Sequence, residues 1–103
     1  MQAASIAETL STVGGQFSQA VASGANTVVI KAAPGRLCRL VITTAGTASV
    51  TIFDNASAAS GTVLFVSPAT TSIGTIFDIQ MPAQAGITVL NPASSPGFTV
   101  SWD

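Results

Sequence analysis

Seven side chains carry all the formal charge of this 103-residue chain: Glu8, Lys31, Arg36, Arg39, Asp54, Asp78 and Asp103. There is no histidine, and Cys38 is the single cysteine. That inventory restricts the chemistry available. Without imidazole there is no Ser-His-Asp triad, no histidine general base and no histidine metal ligand. The sequence holds no G-x-S-x-G elbow, G-x-G-x-x-G turn, Walker loop or H-E-x-x-H pair. One cysteine excludes an internal disulfide, a C-x-x-C redox pair and a cysteine zinc site. The expectation is a protein that is not an enzyme and needs no cofactor or metal.

The remaining reactive groups have structural readings beside the chemical ones. Asp54 and Asp78 could share a cation as a carboxylate pair. Their spacing carries no ligand pattern, so the expectation is that Asp54 caps the turn at Asn55 and Asp78 faces solvent or an arginine. Arg36 and Arg39 flank Cys38. Each is either a solvated edge charge or an interface arginine of the kind that pairs bidentately with carboxylates. Cys38 reads as a small buried hydrophobe rather than a reactive thiol. Phe53 shares a strand face with Ser49 and Thr51. It is either covered by a loop or the N-terminal segment of its own chain or exposed as an interface anchor. Asn55-Ala56-Ser57 matches the glycosylation pattern and, with no secretory signal expected, is read as a chance match.

Charged residues are 7% of the chain and hydrophobic ones 48%, whereas an average soluble domain is about a quarter charged. The surface must therefore consist largely of Ser, Thr, Ala, Gly and Gln, which suits a protein packed against copies of itself or against a large assembly. Net charge is −1, so neither nucleic acid nor an anionic membrane is an expected partner. No run approaches the roughly 18 apolar residues of a membrane-spanning helix. The N-terminus has no basic region followed by an apolar stretch, so no signal peptide is expected.

These residues must be positioned by strands. Alternation of apolar and polar residues marks segments at 27–32 (TVVIKA), 36–44 (RLCRLVITT), 47–54, 62–66, 73–81, 87–90 and 98–102. All five prolines fall between them, where a missing N–H costs no ladder bond. In 36–44, Cys38, Leu40 and Ile42 should face inward. Segments 36–44 and 47–54 read as a hairpin. Segment 62–66, apolar on both faces, reads as a central strand. Phe77, Phe98 and Trp102 read as core residues. The predicted fold is all-β: a single small antiparallel β-sandwich, jelly-roll-like, over 26–103, preceded by an extended N-terminal arm over 1–25. Within the arm, Ile6 and Leu10 could share one helical turn and 16–22 could form an eighth strand. The arm is either a loose tail or an addition to a neighbouring subunit's sheet.

From Val28 to Asp54 the chain reads VVIKAAPGRLCRLVITTAGTASVTIFD and continues as NASAASGTVLF. The strand ending in Ile-Lys, the Pro-Gly turn, Asp54-Asn55 and the Ala58-Ala59-Ser60-Gly61-Thr62 run resemble the small β-sandwich virion proteins of tailed double-stranded DNA bacteriophages, over about residues 26–103. The resemblance implies a capsid decoration (cement) protein on the exterior of the virion, made in the host cytoplasm. It also implies a homo-oligomer, with a trimer favoured, bound to the major capsid protein. Ile6, Leu10, Phe17, Arg36, Arg39 and Phe53 are the expected interface residues. A head spike-base, a tail or baseplate adaptor, and a glycan-binding adhesion module are the alternatives. The last is weakened by the lack of tyrosine and the single tryptophan.

Overall fold

The computed structural model describes residues 16–103. They form eight antiparallel strands: β1 (Phe17–Val21), β2 (Asn26–Lys31), β3 (Gly35–Thr44), β4 (Thr51–Asp54), β5 (Thr62–Val66), β6 (Ile76–Ala83), β7 (Ile87–Asn91) and β8 (Gly97–Trp102). No helix long and apolar enough to cross a membrane occurs among the described residues. The strands make two four-stranded sheets, ordered β1-β8-β3-β6 and β2-β7-β4-β5. Strands pair as if an antiparallel ribbon had been folded at the β4–β5 turn, β1 with β8, β2 with β7, β3 with β6 and β4 with β5. The ribbon wraps so that its members alternate between sheets. The chain is thus an all-β sandwich, as its alternation predicts.

The core lies between the sheets. One sheet contributes Val21, Leu37, Leu40, Ile42, Phe98 and Val100, and the other Ile30, Ile52, Leu64, Ile87 and Val89. Burying a side chain of this size stabilises by about 1.5–3 kcal/mol. Thirteen such residues make one continuous cluster, which is what a chain of this length needs to fold alone.

Three expectations are corrected. Segments 36–44 and 47–54 are not a hairpin: β3 pairs with β6 and β8, while β4 pairs with β5 and β7 in the opposite sheet. The link between them turns a corner of the sandwich at Gly46, which bridges to Thr71. A Cβ at Gly46 would overlap the backbone of Pro96, so the crossing requires glycine. Second, β5 is an edge strand, not a central one. Third, residues 17–21 belong to the sheet of their own chain, with Phe17 opposite Trp102 and Val21 opposite Phe98. The sandwich thus includes Phe17–Val21, within the segment expected as an arm, in agreement with the reading of 16–22 as an eighth strand. Ile6 and Leu10 lie outside the described residues.

The register shifts at four places, and two of these shifts, in β3 and β5, bear on the residues expected inside. At Leu37/Arg39 the register of β3 shifts against both neighbours, so consecutive residues Leu37 and Cys38 are both buried. Strict alternation had put Cys38 on the face of Leu40 and Ile42. In β5 one extra residue separates Val63, which faces Phe53, from Phe65, which faces Ile52. Leu64 and Phe65 both turn inward as a result, and Val63 and Val66 both turn outward.

Candidate functional site

The charged residues have structural duties. The Asp54 carboxylate accepts hydrogen bonds from the backbone N–H groups of Gln84 (2.9 Å), Ala85 (2.7 Å) and Gly86 (3.3 Å). It closes the β6–β7 turn of the neighbouring chain segment rather than its own turn. The local cap is Asn55, whose Oδ1 accepts from Ser57 and Ala58 N–H. Gly86 has no room for a Cβ between Lys31, Asn55 and Ala56, so this turn is pressed against the β4–β5 loop. Asp78 lies on β6 in the other sheet, where Arg39 Nε approaches its carboxylate at 3.6 Å and Gln80 Nε2 donates to it at 3.0 Å. The structure therefore does not make a carboxylate pair of Asp54 and Asp78. No cluster of three metal-ligating side chains exists among the described residues.

Donation from the Gln84 and Ala85 N–H groups holds the Asp54 carboxyl below its ordinary pKa, with Gly86 adding less. A carboxyl with a depressed folded-state pKa stabilises the fold above its unfolded pKa, and that stability is lost as pH falls through the folded value. Wild-type Tm should therefore fall on acidification below about pH 4. Asp54→Ala should have a lower Tm at pH 7 and a flatter acid limb. Thermal melts at a series of pH values check this, and an unchanged acid limb would mean that the turn clamp contributes nothing.

Arg36 and Arg39 both leave the core. Arg39 is 45% exposed and its pair with Asp78 is solvated, so the pair contributes about 0–1 kcal/mol. Arg36 exchanges backbone hydrogen bonds with Asp103. Lys31 Nζ donates to the main-chain oxygen of Asp103 at 2.8 Å, and Gln16 N–H donates to its carboxylate at 3.0 Å. Asp103 is thus tied to three segments. Cys38 Sγ lies 3.9 Å from the same carboxylate. Burial, helped by the Asp103 charge, pushes its thiol pKa up. A buried thiol held protonated is a poor nucleophile. Native protein should react with an aromatic disulfide reagent at least about 100-fold more slowly than unfolded protein. Equal rates would show that Cys38 is accessible.

The aromatic residues divide by position. Phe98 is fully buried. Phe77 packs at the rim of the core, its ring 5.1 Å from that of Phe65. Trp102 is also at the rim, stacked on the exposed Phe17 at 6.0 Å and 29°. Phe53 is half-buried on the outer face of the β2-β7-β4-β5 sheet.

That outer face is the most coherent surface of the molecule. Its registers align Thr27, Leu90, Thr51 and Val66 in one row, and Val29, Thr88, Phe53 and Val63 in the next. Neither row contains a charge. Val29, Leu90, Val63 and Val66 are exposed. Thr88 is fully buried on the same face, its hydroxyl donating to Asn55 O at 2.7 Å, so the β4–β5 loop covers that end. The outer face of the other sheet carries the Arg39–Asp78 pair instead. The expected interface residues are therefore not one patch. Phe53 is on the uncharged face, Arg39 on the opposite sheet, and Phe17 on the edge strand β1. The exposed apolar residues Val29, Val63, Val66 and Leu90 were missed, although a strand apolar on both faces at 62–66 was a signal for Val63 and Val66. No protein-family model, curated protein or solved structure matches the chain.

Proposed function

We propose that this chain is a structural virion protein of a tailed bacteriophage, a capsid decoration (cement) protein that self-associates and binds the major capsid protein. A trimer is the favoured assembly. The observation that carries this reading is the uncharged, apolar outer face of the β2-β7-β4-β5 sheet, in a chain whose described carboxylates are all engaged by its own backbone or cations. A sheet face with exposed valine and leucine beside a half-buried phenylalanine is costly in water and productive against another protein. The strand order supports the jelly-roll reading, an architecture used by capsid and lectin domains. Many copies bridging neighbouring capsid subunits would hold the shell against the outward pressure of packaged DNA.

Sedimentation with purified phage heads assembled without the protein tests this. Saturable binding to heads and a raised temperature of head disruption are expected. Binding to tails alone would replace the reading with a tail or baseplate adaptor. One observation favours the glycan-binding alternative: the stacked Phe17–Trp102 pair leaves Phe17 54% exposed beside polar Gln16 and Gln19. Glycan-array binding lost in Phe17→Ala would favour that module over the cement reading.

A further inference from the structure

Among the described residues, four of the five most exposed large hydrophobic side chains flank one seam of the sandwich: Ile73 at 70% and Ile76 at 62% on the side of one sheet, Val66 at 52% and Val63 at 46% on the outer face of the other. The seam is formed by β5 and β6, the edge strands of the two sheets on one side, and by their connection. The Phe65–Phe77 ring contact closes it on the inside.

The connection is not loose. Gly46 and Thr71 exchange backbone hydrogen bonds, Gly74 N–H donates to Ile42 O at 2.8 Å, and Ile42 N–H donates to Thr75 O at 2.9 Å. Ser67 N–H donates to Val50 O, and its hydroxyl accepts from Val50 N–H. Ile73 is thus presented to solvent from a backbone fixed on both sides. A backbone ordered before binding loses less entropy on binding.

The four edges of the sandwich are not equally protected. Edge strands invite pairing with another chain unless charge, proline or distortion blocks it. β6 carries Asp78, Pro82 and a left-handed Gln80 (φ 54°). β2 ends in Lys31 after a register shift. β1 shows Ser18, Gln19 and Ala20 to solvent. β5, Thr-Val-Leu-Phe-Val, has neither charge nor proline. Its one irregularity, the extra residue Leu64, sends Leu64 inward and leaves Val63 and Val66 outside.

We propose that the β5–β6 seam is where one copy of this chain binds another, an edge strand of the second copy pairing along β5 beside Val63 and Val66, with Ile73 and Ile76 flanking the joint on the other side of the sandwich. This rests on the self-association part of the function proposed above and assigns it a surface. A second copy is the occupant that the charges favour. Residues 62–77 contain no Asp, Glu, Lys or Arg, so the seam meets an identical chain without like-charge repulsion. It offers no electrostatic address to a charged partner. The nearest charge, Asp78, already has Arg39 beside it.

Light scattering after size exclusion, on samples up to about 1 mM, tests the seam with three variants. Val63→Lys/Val66→Lys places two charges on the β5 edge. Ile73→Asp/Ile76→Asp does so from the connection and β6, in case the first variant fails to fold. Ala33→Lys/Ala93→Lys adds the same charge as the first on exposed loops away from the seam. Wild-type protein should run as a closed oligomer, both seam variants as monomers with a native circular-dichroism spectrum, and the loop variant as wild type. Folded seam variants that keep the wild-type mass overturn the proposal, as does dissociation of the loop variant. A wild type that is monomeric throughout but still coats phage heads overturns the seam and leaves the capsid docking standing. A monomer that binds no head overturns both.

Discussion

Phe98→Ala should lower stability by about 3–5 kcal/mol, the usual result of emptying a phenylalanine site in a packed core. Phe98 is the largest side chain with no exposure. It sits on β8, opposite Val21 of β1 on one side and Ile42 of β3 on the other. Its removal would leave a cavity that rigid, hydrogen-bonded strands cannot close. Total stability for a domain of this size is about 5–15 kcal/mol. A Tm lower by roughly 15–30 °C is therefore expected, measured by scanning calorimetry. Val66→Ala, at an exposed site on β5, should move Tm by no more than a few degrees. If the two variants melted together, the core would not lie where the two sheets place it.

The same contrast separates what the sequence made legible from what it did not. Strands follow from a local signal, the period-two alternation of Leu40, Ile42, Val50, Ile52, Val89, Phe98 and Val100, all of which are buried. Pairing does not follow from a local signal. A short link at 45–46 suits a hairpin as well as a corner, and the choice depends on Gly46 fitting against Pro96, residues fifty positions apart. Bulges are invisible to alternation for the same reason. One extra residue at Cys38 or Leu64 reverses every side chain beyond it. Asp54 shows a further limit. A capping aspartate was legible, but the N–H groups it serves are 30–32 residues away. Phe17 was read as part of an arm because its segment is rich in small polar residues. Its place is fixed by Trp102, at the far end of the chain. For the candidate surface, the lack of charge was fully legible from composition. Which apolar residues share the uncharged face required the register.

Phe53→Asp should reduce binding to phage heads by at least about 100-fold while leaving a folded protein. A buried aromatic anchor at the centre of an interface is commonly worth about 2–4 kcal/mol, and each 1.4 kcal/mol is about tenfold in affinity. Phe53 has the required position, between Thr88 of β7 and Val63 of β5 on the uncharged face. The substitution also sets a second carboxylate beside Asp54 in sequence, so any apolar partner surface would have to desolvate charge. Within the sandwich the cost is smaller, because Phe53 is only half-buried and points away from the core. Loss of its cross-strand contacts should cost about 1 kcal/mol, or roughly 4–8 °C in Tm. Phe53→Leu keeps an apolar side chain and should retain most of the binding. Arg39→Ala removes only a solvated ion pair and should change binding and stability little if the uncharged face is the docking surface. Equal head binding by wild type and Phe53→Asp would remove that face from the proposal, and strong loss in Arg39→Ala would move docking to the opposite sheet. Phe98→Ala is expected to lose binding and fold together on heating, so a docking role at Phe53 is distinguished by losing the first while keeping the second.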